Sequence, residues 1–314
     1  MIKLKRPPIV RRLDYVNEYL NGVSDGYDPE DLEILLAETK RRFEREKSLA
    51  VSRGNPYRKN IKNAKSLTDD CRRLTEAIGF VNDEILTGKG EYYLKASDED
   101  RKTLLCTAYS SYYPHLGVFV SSLFQNGTFV LPMRNKPPFR PMIKSYGIDT
   151  HQVGFDIIRD IATDIGLVNW FTKGKTTERR QHVYLVCHQV SLGNNTRYKV
   201  RHQDAEILLV PNEIPLSKFR DTLYEKYMLL VNGVPGFPVF YSEIRDVVCM
   251  DLKISDLLFD QYTEILIEDD DVYNVIWSQG ILPKQQDSAS MLKSLPPKNI
   301  DGNYVIFLKI VRYR

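Results

Sequence analysis

The spacing of apolar residues along the first third of the chain predicts a series of helices. Apolar positions recur at helical intervals in Leu13–Leu20, and again in a segment that begins at Asp28 and should run to Gly54. Asp28 is followed by a proline and by acids, which is a typical helix start. A third helix is predicted over about Ile61–Ile78, because its apolar residues fall on one face.

The end of this third helix belongs to a stretch that occurs twice in the chain. Ala77–Lys95 reads AIGFVNDEILTGKGEYYLK, and Asp164–Val186 reads DIGLVNWFTKGKTTERRQHVYLV. Both contain I-G-[FL]-V-N, a polar interval with threonine, lysine and glycine, and then β-prone residues. Gly79 and Gly166 should each end a helix in the left-handed conformation. The pattern therefore predicts a helix, a glycine stop and a small β-hairpin, built twice.

The helix of the second copy has a regular apolar face and a mixed polar one. Its inward positions should be Val153, Ile157, Ile158, Ile161 and Ile165. Its polar positions are Gln152, Asp156, Arg159, Asp160 and Thr163. This set is rather acidic. If the unit meets a polyanion such as DNA, the hairpin is expected to contact its backbone and the helix is expected to contact protein.

The remaining segments complete the expected organisation. One or two helices, the first capped by Ser97, should bridge the two copies, and the proline-rich residues 132–147 are expected to be a linker. The last third predicts an amphipathic helix and two short helices, of which Ser255 caps the second. Two strands should follow, separated by a long loop.

These features resemble those of winged-helix proteins, in which a recognition helix is followed by a hairpin called the wing. The phrase LTGKGEYYL is similar to the wing sequence of many prokaryotic members. The resemblance implies an α+β, mainly helical fold with tandem winged-helix-like units and small β-hairpin wings. The expected division is 1–96 for the first unit, 97–202 for bridging helices and the second unit, and 203–314 for an acidic domain that could be a third.

Charge is divided unevenly along the chain. Residues 1–202 have a net charge of +9, residues 203–271 have −10, with 5 Lys/Arg against 15 Asp/Glu, and residues 272–314 have +4. Phosphates attract the first block and repel the second. The basic part is thus expected to bind double-stranded DNA, and 203–271 is expected to bind a protein partner or a second copy.

Basic residues in the two repeated units are the candidates for contact with DNA phosphates. The candidate residues are Arg58, Lys59, Lys62, Lys65, Arg72, Arg73, Lys89, Lys173, Lys175, Arg179 and Arg180. The alternative is that charged helices are only solvated. This alternative is favoured for Lys40–Lys47, where lysine and arginine alternate with glutamate.

Motifs for catalysis, metals and cofactors are weak. The segment TGKGE lacks the frame of a phosphate-binding loop, and His182, Cys187 and His188 do not share one face of a strand. Asp28, Glu38 and Lys40 resemble a nuclease set in composition only, because they lie on a predicted helix. We therefore expect no catalytic residues, no metal and no cofactor.

The expected setting is the cytoplasm. Cys71, Cys106, Cys187 and Cys249 are far apart in sequence, which favours reduced, buried thiols, and no apolar run has the length of a membrane span. The leading hypothesis is a non-enzymatic DNA-binding protein of the kind found among regulators and replication initiators. The alternatives are a scaffold whose winged units bind only protein, and a nuclease.

Overall fold

A computed structural model describes residues 10, 12–51, 64–132, 139–173, 180–191, 196–269, 272–278 and 305–312. The helices in these ranges are α1 (Leu13–Ser24), α2 (Pro29–Val51), α3 (Ala64–Ala77), α4 (Gly88–Lys95), α5 (Asp98–Tyr112), α6 (His115–Asn126), α7 (Phe139–Ser145), α8 (Gln152–Ile165), α9 (Leu216–Leu230), α10 (Tyr241–Leu252) and α11 (Asp256–Asp269). The strands are β1 (Val81–Asn82), β2 (Ile85–Leu86), β3 (Thr128–Pro132), β4 (Val168–Lys173), β5 (Arg180–Leu185), β6 (Cys187–Gln189), β7 (Tyr198–His202), β8 (Ala205–Pro211), β9 (Val239–Phe240), β10 (Tyr273–Ser278) and β11 (Phe307–Arg312). The fold is α+β, with more helix than strand and only small antiparallel sheets.

The first three helices pack together into an amino-terminal bundle. α1 extends four residues past the predicted Leu20 and is followed by α2, whose start is confirmed: the Asp28 carboxylate accepts bonds from two backbone N–H groups of the first turn. The bundle encloses Val16, Leu36 and Leu74. The predicted end of α2 at Gly54 lies outside the described residues.

The first predicted wing is wrong. After the two-residue strands β1 and β2, the chain forms the helix α4 where a second β segment was expected. Thr87 explains the difference, because its side chain caps α4 by accepting a bond from the Gly90 N–H at 3.2 Å. Gly90 also lies so close to the Phe80 carbonyl that a Cβ would collide with it. The glycines thus allow tight helix packing and do not form a hairpin turn.

The middle unit comprises α6, β3, α7, α8, β4 and β5, in that order. Its antiparallel sheet has the order β3-β5-β4, so the last strand lies between the other two. α8 and the left-handed Gly166 stop (φ 93°) are confirmed. Of the positions predicted to face inward, Val153 is wrong: it lies in the first turn of α8 and is 41% exposed. The predicted linker at 132–147 is wrong, because it contains α7, which buries Phe139 and Ile143 in the core.

The carboxy-terminal unit repeats the same order with α9, β9, α10, α11, β10 and β11. Its sheet has the order β10-β11-β9, again with the last strand in the middle. The predicted cap of α11 is confirmed, since the Ser255 hydroxyl accepts a bond from Leu258 N–H at 3.2 Å. The long loop predicted between the last two strands lies outside the described residues.

A third sheet, with the order β6-β8-β7, joins the two units and packs on α5 and α6. Gly117 of α6 permits this packing, because a Cβ there would collide with the Arg201 carbonyl of β7. The predicted domain boundary at 202/203 falls within the turn of the β7–β8 hairpin, where His202 pairs with Ala205.

All four cysteines are free and buried, as the sequence predicted for its thiols. Burial raises the pKa of the Cys106 thiol to about 12, so it is unreactive at neutral pH. None of the helices among the described residues has the length and apolar character that a bilayer crossing requires.

Candidate nucleic-acid interface

Two predicted contact residues lie side by side at the open end of the β4–β5 hairpin. Lys173 ends β4 and pairs in register with Arg180, the first residue of β5. Both side chains are exposed. Among the described residues, no acid lies within ion-pair distance of either charge.

Strand register places these residues at the exposed end of a sheet face that also carries Phe171 and Tyr184, which are buried. Side chains two apart on a strand share a face, and directly paired residues do as well. His182 lies next to Arg180 along this face, and its ring stacks on Phe171 with 4.8 Å between centroids. The opposite face carries Trp170 and Val183, which are buried with the helices of the middle unit.

The carboxy-terminal unit contributes a further cation to this face. Lys253 ends α10 in the left-handed conformation and turns the chain into α11. Its ammonium donates a bond to the Thr128 hydroxyl at 3.2 Å and lies 4.7 Å from the centre of the Tyr184 ring. Tyr184 is two residues beyond His182 on β5. We call Lys173, Arg180, His182 and Lys253 the hairpin patch.

The electrostatics of His182 indicate how closely these groups interact. The pKa of His182 lies below its ordinary value, first because burial disfavours the imidazolium and then because Lys173, Arg180 and Lys253 repel it. Burial also lowers the pKa of Lys253, and Asp251 opposes this effect. Lys173, Arg180 and Lys253 all lie close enough to His182 to affect its charge. Together they form a region of positive potential, which favours a bound anion.

The helix α8 does not offer a basic surface. Its one arginine, Arg159, is buried, with the guanidinium 3.9 Å from the centre of the Trp170 ring. The same guanidinium forms ion pairs with Asp156 at 3.1 Å and Asp160 at 2.6 Å. Arg159 therefore stabilises the packing of α8 on the sheet, and its two acid partners lie on the half-exposed part of the helix.

The helix α3 carries three predicted contact residues, of which two are already paired. Arg73 lies 2.6 Å from Asp70, and Arg72 lies 3.5 Å from Asp69. Lys65 is exposed at the start of the helix. Surface ion pairs contribute little to stability. An arginine with an acid beside it nevertheless attracts a phosphate less strongly than an arginine without one.

Lys89 is not at the tip of a wing, as the sequence predicted. It lies in the first turn of α4, where its ammonium donates a bond to the Ile78 carbonyl at 2.9 Å. That carbonyl is at the end of α3, so Lys89 ties the two helices together. The remaining candidates, Arg58, Lys59, Lys62, Lys175 and Arg179, lie outside the described residues.

A buried polar cluster fixes the two units against each other next to the hairpin patch. Asn169 of β4 donates bonds to the Asp256 carboxylate at 2.7 Å and to the Ile254 carbonyl at 3.2 Å. Asp256 also lies 3.8 Å from the guanidinium of Arg245, which is fully buried and 3.4 Å from Asp260. Burial alone would lower the pKa of Arg245, but these two carboxylates raise it above its ordinary value. Arg245 is therefore charged and holds two acids in place.

The residues considered for a nuclease do not converge. Asp28 caps α2, and Glu38 lies ten residues further along the same helix, which is a rise of about 15 Å. Within the described ranges, no group of three or more His, Cys, Asp or Glu could hold a metal ion. Asp28, Glu38 and Lys40 are therefore not arranged around a common metal ion.

Sequence reasoning missed Lys253 and gave His182 no role in DNA contact. Lys253 is 80 residues from Lys173 in sequence, and only the packing of one unit on the other brings them to the same face. The available signal was local: a lysine in the short turn between two helices. His182 could have been placed from the period-two pattern of β5, which puts it on the face of Arg180.

Comparisons with known proteins add no identification. The chain matches no protein-family model, no curated protein and no solved structure.

Proposed function

We propose that the middle and carboxy-terminal units are tandem winged-helix units and that the protein binds double-stranded DNA through phosphate contacts. The order helix–strand–helix–helix–strand–strand, with the last strand central in the sheet, supports this class for both units. The β4–β5 hairpin then corresponds to the wing of the middle unit. In the described part of the amino-terminal bundle, the two-residue strands β1 and β2 are followed by α4 and form no such wing, so the bundle serves as an added helical layer.

The hairpin patch is the observation that carries this proposal. Lys173 and Arg180 are exposed and unopposed by acids of the described residues, and Lys253 extends the positive region across the unit boundary. Lysine and arginine side chains of this kind contact phosphate oxygens without reading sequence. The buried Arg159 and the acids of α8 favour backbone contact by the wing over base contact by the helix.

The test is fluorescence anisotropy of a labelled random duplex with the wild type and with Lys173→Ala/Arg180→Ala. We expect the variant to bind about tenfold more weakly, which corresponds to about 1.4 kcal/mol. The matched control is Arg72→Ala/Arg73→Ala, which removes the same charge from paired arginines and should have a smaller effect. Equal losses in both variants would show that only net charge matters, and no loss in either would refute the proposed surface.

A second candidate function, a protein-binding scaffold, is favoured by one observation in the carboxy-terminal unit. The exposed side of α11 carries acids and aliphatic side chains, which phosphates would not attract. The two functions are compatible, because the hairpin patch and this side of α11 are different surfaces.

A further inference from the structure

The helix α11 presents an exposed stripe that the described residues of its own unit leave uncovered. α11 packs inward on α9, α10 and β10 through Phe259, Thr263 and Leu266. On its other side, Leu257 and Ile265 remain 58% and 44% exposed. The two aliphatic residues are eight apart, so they lie on one side of the helix, two turns from each other.

Acidic and polar side chains accompany these two aliphatic residues along the stripe. The exposed residues of the stripe are Leu257, Gln261, Glu264, Ile265 and Glu268. Their spacing of four, three, one and three keeps them on one helix face. The only cations of α10 and α11 and of the turn between them are Arg245, which is buried, and Lys253, which points to the middle unit.

The chemistry of this stripe specifies its partner. A strip that combines exposed aliphatic groups with glutamates complements a segment that combines apolar and basic side chains. Helices commonly bind such strips through apolar residues at positions i, i+3, i+4 and i+7. Nucleic acid does not fit, because the glutamates would repel phosphates.

We infer that the outward stripe of α11 binds a basic amphipathic helix of a partner protein. Leu257 and Ile265 bury against its apolar side, and Glu264 and Glu268 pair with its lysines or arginines. In the winged-helix frame, α11 occupies the position of the recognition helix, so the unit uses that position for protein and not for DNA. The inference rests on the second candidate function, protein binding by α11, and does not depend on DNA binding by the hairpin patch.

The probe is a fluorescein-labelled peptide of leucine and lysine, as long as α11 (14 residues), with its leucines on one helix face. A second peptide of the same composition, with leucines spread around the helix, is the matched probe. We expect the full chain to bind the amphipathic peptide in physiological salt and to bind the scrambled one at least tenfold more weakly.

Two double variants locate the binding. Leu257→Ser/Ile265→Ser should weaken binding of the amphipathic peptide at least tenfold while duplex affinity stays unchanged. Leu229→Ser/Phe237→Ser is the control, because both residues are exposed aliphatic or aromatic side chains of the same unit outside the stripe. Glu264→Gln/Glu268→Gln retains the shape of the stripe but removes its charge. The affinity of this variant for the amphipathic peptide should therefore depend less on salt than that of the wild type.

Two results would overturn the inference. One is equal affinity for the two peptides, or an equal loss in the stripe variant and its control, which would indicate non-specific attraction to an acidic surface. The other is self-association of the wild type that Leu257→Ser/Ile265→Ser abolishes in sedimentation velocity, because the occupant would then be a second copy. If the stripe variant lowers the melting temperature, the glutamine variant decides: peptide binding with the same salt dependence as in the wild type would overturn the inference.

Discussion

The middle and carboxy-terminal units have the same order of helices and strands but opposite surfaces. The middle unit presents Lys173 and Arg180 on its hairpin, and the carboxy-terminal unit presents Glu264 and Glu268 on α11. Each unit also buries one arginine among acids. The comparison shows that a shared frame does not determine the ligand, because the frame is set by buried residues and the ligand by a few exposed ones.

The largest expected effect concerns the two buried arginines. Replacing Arg245 with Met leaves Asp256 and Asp260 without their cation, and removal of one partner from a buried ion pair costs about 3–5 kcal/mol. Arg159→Met should cost less, because Asp156 and Asp160 are both about as exposed as Asp260, whereas Asp256 beside Arg245 is buried. Chemical denaturation measures both free energies of unfolding. Equal losses would contradict the different roles assigned to these arginines.

The contact between the units gives the next largest effect. Asn169→Ala removes two buried hydrogen bonds that cross from β4 to the start of α11, with an expected loss of about 1–3 kcal/mol. The control is Asn126→Ala, whose side chain bonds only within α6. Thermal unfolding compares the two. If the Asn126 variant is the less stable one, the Asn169 cluster is not what fixes the units together.

Reversing the charge on α11 should make the carboxy-terminal unit resemble the middle one. Glu264→Lys/Glu268→Lys places cations on the stripe, and we expect duplex affinity to rise by about fivefold, close to 1 kcal/mol. Anisotropy of the labelled duplex measures the change. Glu225→Lys/Glu243→Lys changes the net charge equally at exposed positions off α11. An equal gain in that control would mean that the position of α11 is irrelevant.

The smallest effect is the pH dependence of duplex binding. The pKa of His182 is lowered by burial and by the neighbouring cations, so the free protein holds a neutral imidazole at pH 7. A bound phosphate favours the imidazolium and raises this pKa, and duplex affinity must therefore increase as the pH falls through the pKa of the bound state towards that of the free state. His182→Gln should flatten the profile in anisotropy titrations at several pH values. A profile that is unchanged in this variant would exclude His182 from the interface.

Local signals in the sequence predicted much of the middle unit. The helical spacing of α8 and the glycine stop at Gly166 depend on neighbouring residues, and both are confirmed except at the exposed Val153. The α+β class and the cap at Ser255 are confirmed for the same reason. The strand β5 is present, but its last three residues are all buried and do not alternate.

The errors came from glycine and proline, which have more than one structural use. Gly90 was interpreted as a hairpin turn, but it lets α4 approach Phe80 closely after the Thr87 cap. The prolines before α7 suggested a linker, although Phe139 and Ile143 bury its face. Lys173 and Arg180 of the hairpin patch were predicted, but Lys253 could not be, because it joins the patch only through the packing of two units.

The salt dependence of duplex affinity tests the central claim most directly. Each lost phosphate contact lowers the slope of log affinity against log salt by about 0.9, so Lys173→Ala/Arg180→Ala should lower it by about 2. Arg72→Ala/Arg73→Ala should leave the slope closer to that of the wild type. A wild-type protein that does not bind the duplex at low salt, or an unchanged slope in the hairpin variant, would contradict DNA binding by the hairpin patch.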